Sequence, residues 1–186
     1  MSSTDYSRLA RRLRLPLGFI LGGLYLAFAR PTPGSLVLGG AVAFIGLLIR
    51  GWASGHIVKN DQLATTGPYA HTRNPLYFGS FLIAAGFAIA AHWSLLLLVI
   101  AFFVLIYWPT IERERDFVRG KFPEGYAEWE QHVPVFVPRV TPWASASGGS
   151  GADSSFSWPL YMRHKEWKAA LVFTLAIAWL SYRALG

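Results

Sequence analysis

The residues NPLYFGSFLIAAGFAIAAHWSLLLLVIAFFVLIYWPTI, from Asn74 to Ile111, contain no Asp, Glu, Lys or Arg. As one helix, these 38 residues would be about 57 Å long, roughly twice the thickness of the hydrocarbon core of a bilayer. The run therefore predicts two helices that fold back on each other. The predicted reversal lies at residues 90–94, where a histidine and an interfacial aromatic residue, His92 and Trp93, interrupt the aliphatic sequence.

Three other runs without charged side chains flank this central one, at residues 15–29, 31–49 and 169–182. With 53% hydrophobic and only 15% charged residues, the chain is too apolar for a disordered or collagen-like protein. The pattern predicts an all-α, polytopic integral membrane protein with five transmembrane helices. Their approximate bounds are 13–30, 34–56, 75–91, 94–111 and 159–186.

The predicted domain organisation is a four-helix core, residues 1–142, built as two hairpins. Arg30 to Gly34, rich in proline and glycine, forms the tight turn of the first hairpin. A short cytoplasmic cap, residues 112–142, follows the second. Residues 143–158 are rich in Gly and Ser and predict a flexible linker. The linker leads to a C-terminal transmembrane helix, residues 159–186, which we interpret as an accessory to the core.

The distribution of basic residues predicts the orientation. Placing the N-terminus in the cytoplasm leaves only Arg30 and Arg183, of 17 Lys and Arg residues, outside, as the positive-inside rule requires. The C-terminus is then outside. The net charge of +7 is thereby explained without a nucleic-acid partner, and no nucleic-acid-binding motif is recognisable. No small-residue cleavage site follows the first apolar run, so we expect that run to be retained.

The first polar motif is GPYAHTRNPLYFG, residues 67–79. Asn74 and Pro75 predict a helix start, whose backbone amides favour an anionic group such as a carboxylate. The simpler interpretation is a turn at the membrane surface, with Arg73 reaching the headgroups and Tyr69 and Tyr77 at the interface.

Two further motifs follow the second hairpin and emerge on the same side as the first. The carboxylates of Glu112 and Glu114 lie near the hydrocarbon boundary and can pair with Arg73 or with a cationic ligand. The alternative is a solvated, self-paired helix. Residues 122–139 predict an amphipathic helix against the membrane. Tyr126 in it either stacks on a purine or anchors the interface.

The chain has no cysteine, which excludes disulfides and thiolate sites. The five histidines lack the spacing of metal ligands, so no metal is expected. They are His56, His71, His92, His132 and His164.

Taken in order, these motifs resemble the isoprenylcysteine carboxyl methyltransferase family and the related phospholipid N-methyltransferases, over residues 67–139. That family's pattern is Gly-Pro-Tyr, Arg-His-Pro-x-Tyr, a glutamate pair, Phe-Gly-x-x-Tyr-x-x-Tyr and Val-Pro. The corresponding residues are Gly67-Pro68-Tyr69, Arg73-Asn74-Pro75-Leu76-Tyr77, Glu114 with Glu112 nearby, Phe122-Pro123 with Tyr126 and Trp129, and Val133-Pro134. Three positions depart from the pattern: Asn74 replaces the histidine, Arg115 the second glutamate and Pro123 the glycine. Asparagine cannot carry a proton or a positive charge, which puts an acid, base or cationic role of that position in doubt.

The resemblance implies methyl transfer from S-adenosylmethionine to a lipidic or small hydrophobic acceptor in the membrane. It implies that the donor's carboxylate lies near Arg73, Asn74 and Pro75, and its ammonium near Glu112 or Glu114. The implied contacts of its sulfonium or adenosine are Tyr69, Tyr77 and Tyr126. Arg73 and Glu114 are the implied catalytic residues, with Glu114 as base for an amine or thiol acceptor.

Two other functions stay open. A membrane reductase of sterol or lipid double bonds would share the helical core and use NADPH. A catalytically silent scaffold is favoured by the departures at Asn74 and Arg115. The acceptor is equally open: prenylcysteine, phospholipid amine, phenol, fatty acid and thiol all fit.

Overall fold

The computed structural model describes residues 3–57, 63–144 and 155–185, and all regular secondary structure within them is helical. The prediction of an all-α fold is confirmed for these residues. In chain order the helices are α1 (Ser3–Phe28), α2 (Pro33–Ser54), a 3₁₀ turn (Gly67–Ala70), α3 (Pro75–Ala91), α4 (Leu95–Phe102), a π-helical turn (Phe103–Tyr107), α5 (Trp108–Lys121), α6 (Pro123–His132), α7 (Trp158–Arg163) and α8 (Trp167–Leu185).

Three of these helices are long and apolar enough to cross a membrane: α2, the continuous helix Leu95–Lys121 and α8. The apolar part of α1, Leu15–Tyr25, and α3 are shorter. Helix lengths and composition therefore support an integral membrane protein with three candidate spans. The five-span topology stays a prediction.

The central apolar run divides where the sequence predicts, because α3 ends at Ala91 and α4 begins at Leu95. The second half differs from the prediction. The helix does not end at Ile111 but continues through the charged residues to Lys121. It ends there because Pro123 disfavours a helical conformation of the preceding residue, Phe122. The first part of the predicted cap is thus a helical extension of the span.

A π-helical turn joins α4 to α5 just before a proline. Pro109 has no N–H to donate to the carbonyl of Leu105, the partner expected in an α-helix. That carbonyl accepts a hydrogen bond from the Tyr6 hydroxyl instead, at 2.7 Å. The proline thereby creates the acceptor that attaches α1 to the long helix.

The closest helix packing is between α2 and α3. Thr32 and Ser35 form a capping box at the start of α2, and the Ser35 hydroxyl also donates to the carbonyl of Ala90 at 3.0 Å. Along the contact, a Cβ added to Gly46 would lie 2.6 Å from the carbonyl oxygen of Gly79. Small residues therefore let the two backbones touch, as is usual in membrane helix pairs.

The outer helices pack on neighbours that their order along the chain does not specify. The first hairpin does not pack as a pair, because α1 makes its main contacts with the π-helical turn and α5, whereas α2 packs on α3 and α8. The C-terminal helix contacts α2, and Leu180 is fully buried in the same apolar cluster as Ala88. The division into a core and an accessory C-terminal helix stays a prediction. Most of the predicted linker, residues 145–154, lies outside the described residues.

Candidate functional site

A cavity of about 810 Å³ opens where the first turns of α3 meet α5 and α6. It contains seven of the eight predicted site residues: Tyr69, Arg73, Asn74, Pro75, Tyr77, Glu114 and Tyr126. Its apolar side is formed by residues of α1 and α4, including Leu15, Phe19 and Phe102. Glu112, the eighth residue, is exposed on α5 and does not line the cavity. The cavity thus combines a polar end with an apolar side.

Arg73 lies at the polar end, with only 9% of its side chain exposed. Its Nη1 donates to the Tyr126 hydroxyl at 3.0 Å and to Glu130 at 2.8 Å. Its Nε is buried and has no hydrogen-bond partner among the described residues. A buried donor of a charged group without an acceptor costs free energy, so this side of the guanidinium is suited to an anionic ligand.

Glu130 was not predicted from the sequence. Its carboxylate accepts hydrogen bonds both from Arg73 and from Arg119, the latter at 2.6 Å. Burial works to raise the pKa of this carboxyl, but the hydrogen bonds and charges of Arg73 and Arg119 together hold it below its usual value. Glu130 therefore stays ionised and keeps the Arg73 side chain in place. Nothing in the residue pattern distinguished it from the other glutamates of α6.

A hydrogen bond to its backbone fixes the position of Tyr69: the Tyr69 carbonyl accepts from the Trp129 indole at 2.9 Å. Tyr69 is 5% exposed, and its buried hydroxyl has no hydrogen-bond partner within the described part of the chain. Burial, together with the negative charges of Glu114 and Glu166, raises the pKa of this hydroxyl. Tyr69 is therefore a second buried donor that lines the cavity and lacks an acceptor.

Asn74 has a structural contact that the sequence did not reveal. Its Nδ2 donates to the carbonyl of Val135 at 2.9 Å, and its backbone amide donates to the Thr72 hydroxyl at 3.3 Å. The amide at the helix start is thus occupied. The segment after α6 also binds this turn through the carbonyl of Pro134, which accepts from the Arg73 amide at 2.9 Å. These hydrogen bonds fix the segment after α6 to the turn before α3, so that α6 lies at the polar end of the cavity.

Glu114 accepts a hydrogen bond from the Tyr77 hydroxyl at 3.0 Å. Among the described residues it has no basic partner. The three cavity-lining arginines, in contrast, are all paired: Arg50 with Glu166, Arg73 with Glu130 and Arg115 with Asp116. The described lining therefore contains one carboxylate without a counter-ion, which suits a cationic ligand group.

A second group of polar residues that the sequence analysis missed lines the cavity on the α2 side. Arg50 donates to Glu166 through Nε at 3.1 Å and through Nη2 at 2.7 Å. Its Nη1 donates to the Ser80 hydroxyl and to the carbonyl of Leu76. The pair was hidden in the sequence because its two members are 116 residues apart.

Within the described residues, no three His, Asp or Glu side chains are grouped so that they would hold a metal ion. The absence of a metal stays an expectation.

The fold and this site define a class: a helical integral membrane protein with an acidic and basic cavity next to its apolar helices. Comparison with known proteins identifies the class more closely. A family described as phospholipid methyltransferase matches residues 36–125. The cobalt-zinc-cadmium resistance protein CzcN of Cupriavidus metallidurans is 30% identical over 151 residues, which are 77% of this chain and 69% of that protein. The chain belongs to the phospholipid methyltransferase family.

Two further relatives are similar. The nickel-cobalt-cadmium resistance protein NccN of Alcaligenes xylosoxydans is 30% identical over 60% of this chain and 52% of that protein. The protein-S-isoprenylcysteine O-methyltransferase of Schizosaccharomyces pombe is 26% identical over 73% of this chain and 60% of that protein. The chain therefore spans less than two thirds of these two relatives. The predicted resemblance to this group of membrane methyltransferases is confirmed. No solved structure matches the chain significantly.

Proposed function

We propose that this protein is an S-adenosylmethionine-dependent methyltransferase that acts on a lipidic or small hydrophobic acceptor at the membrane boundary. The observation that carries the proposal is a combination in one cavity. Two buried donors that lack acceptors among the described residues, the Tyr69 hydroxyl and Arg73 Nε, line it together with Glu114, a carboxylate without a counter-ion in the same part of the chain. A zwitterionic amino acid moiety suits the donors and the carboxylate alike. Its own carboxylate accepts hydrogen bonds from the donors, and its ammonium pairs with Glu114.

When bound, S-adenosylmethionine supplies an electrophilic methyl group. The protein's own contribution is to orient and to exclude water. Arg73 and Tyr69 would hold the carboxylate end, and Glu114 would hold the ammonium or, for an amine or thiol acceptor, accept its proton. The ring of Tyr77 would face a cation, whereas the guanidinium groups of Arg73 and Arg119 already lie over the ring of Tyr126, at 5.9 and 5.6 Å. Positioning of two reactants in a dry cavity provides much of the rate enhancement of such a displacement.

The charge balance of the cavity favours this donor over NADPH. A dinucleotide with several phosphate charges needs several cationic partners, whereas the three described cavity-lining arginines are each ion-paired and only Arg73 keeps a buried donor, Nε, without an acceptor among the described residues. The same cavity disfavours a silent scaffold, because each buried donor without an acceptor costs about 1–3 kcal/mol in a protein that never binds a ligand.

For the acceptor and the orientation, we propose the arrangement that the sequence predicts. The apolar tail would reach the cavity from the bilayer along its α1 and α4 side, where Leu15 and Phe19 line it. The N-terminus and the cavity would face the cytoplasm. Labelling of single cysteines, introduced into a chain that has none, distinguishes the two orientations.

The direct test is incubation of membranes that contain the protein with methyl-labelled S-adenosylmethionine, followed by analysis of the lipid extract. We expect a labelled, lipid-soluble product that is absent without the protein. Titration of purified protein should give saturable binding of S-adenosylmethionine and none of NADPH. Binding of NADPH alone would support the reductase, and binding of neither would support the scaffold.

Replacement of Glu114 by glutamine is expected to weaken binding of S-adenosylmethionine severalfold, since an ion pair at an exposed carboxylate contributes about 0.2–1 kcal/mol. The matched control is Glu112→Gln, two residues away on the same helix and outside the cavity lining. Isothermal titration of both variants measures the difference. A larger loss from Glu112→Gln would transfer the proposed role to that residue.

Replacement of Tyr69 by phenylalanine is expected to act in opposite directions on stability and on binding. Removal of a buried hydroxyl without a partner should raise the stability of the ligand-free protein by about 1 kcal/mol. The same change should weaken binding of S-adenosylmethionine, because a donor to its carboxylate is lost. Thermal unfolding with and without ligand measures both effects, and unchanged affinity would remove Tyr69 from the proposed site.

A further inference from the structure

The turn between α7 and α8 is joined to the cavity wall by one ion pair. Glu166 lies in that turn, and its two carboxylate oxygens accept from Arg50 of α2 at 2.7 and 3.1 Å. The side chains are only 23% and 11% exposed, for arginine and glutamate respectively. Two parallel hydrogen bonds from a planar guanidinium fix orientation as well as distance.

The other side of the same guanidinium holds the start of α3. Arg50 Nη1 donates to the carbonyl of Leu76 at 3.4 Å and to the Ser80 hydroxyl. Ser80 in turn donates to the Leu76 carbonyl at 2.8 Å. The first turns of α3 carry Asn74, Pro75 and Tyr77, so the guanidinium connects the C-terminal segment to the residues that face the ligand.

We propose that Glu166 is a positioning residue of the methyltransferase site, an inference that rests on the function proposed above. Its carboxylate orients Arg50, and Arg50 sets the first turns of α3, so that Tyr77 and its partner Glu114 stand at the correct place in the cavity. Residues 126–186 lie outside the part that the family profile matches. Glu166 is therefore a candidate site residue that lies beyond the matched part of the chain.

The location of Glu166 between two cavities supports this role. Besides the main cavity it lines an apolar one of about 380 Å³, formed by α2 residues such as Leu48 and Trp52 and by Phe156 and Tyr161 of the C-terminal segment. The ion pair thus lies in the wall that separates the polar site from an apolar space. Removal of one partner of a largely buried ion pair leaves the other charge uncompensated, so both side chains are needed to keep this part of the cavity wall in place.

The test uses Glu166→Gln in the full-length protein, with Arg163→Gln as the control, an exposed charge on α7 outside both cavities. We expect Glu166→Gln to raise the Kd for S-adenosylmethionine about tenfold, since misplacement by about 1 Å has large effects at such sites. A loss of folded protein would lower the number of binding sites but not the Kd of those that remain.

A charge-swapped double variant, Arg50→Glu with Glu166→Arg, separates positioning from general stability. The swap restores an ion pair, so the thermal midpoint should return towards the wild-type value. The introduced carboxylate has no donor for the Leu76 carbonyl, so the Kd should stay raised. Full recovery of the Kd in the swapped variant would overturn the proposal.

A third measurement does not depend on the methyl donor. Leu76→Cys keeps the backbone carbonyl that Arg50 contacts and places the protein's single cysteine on the cavity wall. Glu166→Gln should increase its labelling rate by a maleimide severalfold, whereas Arg163→Gln should not. An unchanged rate would contradict the proposal even if the wild-type protein failed to bind S-adenosylmethionine, an outcome that would refute the proposed function separately.

Discussion

Replacement of Arg73 by glutamine is expected to lower the affinity for S-adenosylmethionine by about 100-fold, the largest functional effect of any single change in this chain. The guanidinium would contribute a charge-assisted hydrogen bond from Nε, and such bonds are worth about 1.5–3 kcal/mol each. Its attraction for a carboxylate is little screened, because the side chain is 9% exposed. Titration of the purified variant with S-adenosylmethionine measures the loss.

Arg119→Gln is the matched control. Arg119 shares the Glu130 carboxylate with Arg73 but is half exposed and does not line the cavity. In either variant Glu130 keeps one cationic partner, so neither change leaves an isolated buried charge. The affinity of Arg119→Gln should stay within about twofold, as is usual for an exposed ion pair. Equal losses in the two variants would show that Arg73 acts through Glu130 and not on the ligand.

Replacement of Gly86 by alanine is expected to destabilise the helix pair α2–α3 by about 3 kcal/mol, at the upper end of the usual cost of overpacking. The added Cβ would lie 2.4 Å from the backbone nitrogen of Ala43 and 2.5 Å from the carbonyl oxygen of Gly39. Backbone atoms cannot move aside as a flexible side chain does, so the two helices would have to separate. Thermal unfolding in detergent measures the effect.

Gly40→Ala is the control for helix packing. Gly40 is adjacent to Gly39 on α2, yet its added Cβ would meet only the end of the Ile177 side chain, at 3.5 Å. Because alanine favours a helix over glycine by about 1 kcal/mol, this variant should unfold at the same or a higher temperature. Destabilisation of both variants to the same extent would contradict the close approach of α2 and α3.

The uncharged run from Asn74 to Ile111 was sufficient to predict the reversal between α3 and α4. Its length exceeds the bilayer thickness, and a physical limit on length needs no knowledge of the neighbours. The end of the second helix was not predictable in the same way. The polarity of residues 112–121 indicates where the hydrocarbon ends, whereas the hydrogen bonding of the helix continues beyond that point, to Lys121.

Most of the predicted site residues also follow from the sequence, because Tyr69, Arg73 and Tyr77 lie within nine residues of one another. A helix that starts within this stretch places these three residues close to one another. The hydrogen-bond and ion-pair partners of the site residues could not be predicted from the sequence. Glu130 is one of several similar glutamates, and Asn74 gave no sign that its amide binds the carbonyl of Val135.

The sequence by itself therefore determined the properties that local composition controls. These are the helical class, the reversal of the central run, and a polar end of the cavity with arginine, tyrosine and glutamate. What only the tertiary structure decided is which charges neutralise each other and which stay unpaired. Arg50 and Glu166 meet across 116 residues, and their pairing adds the turn before α8 to the cavity wall. The physical reason is that charge compensation depends on distances of a few ångströms between segments, and the order of residues along the chain does not specify those distances.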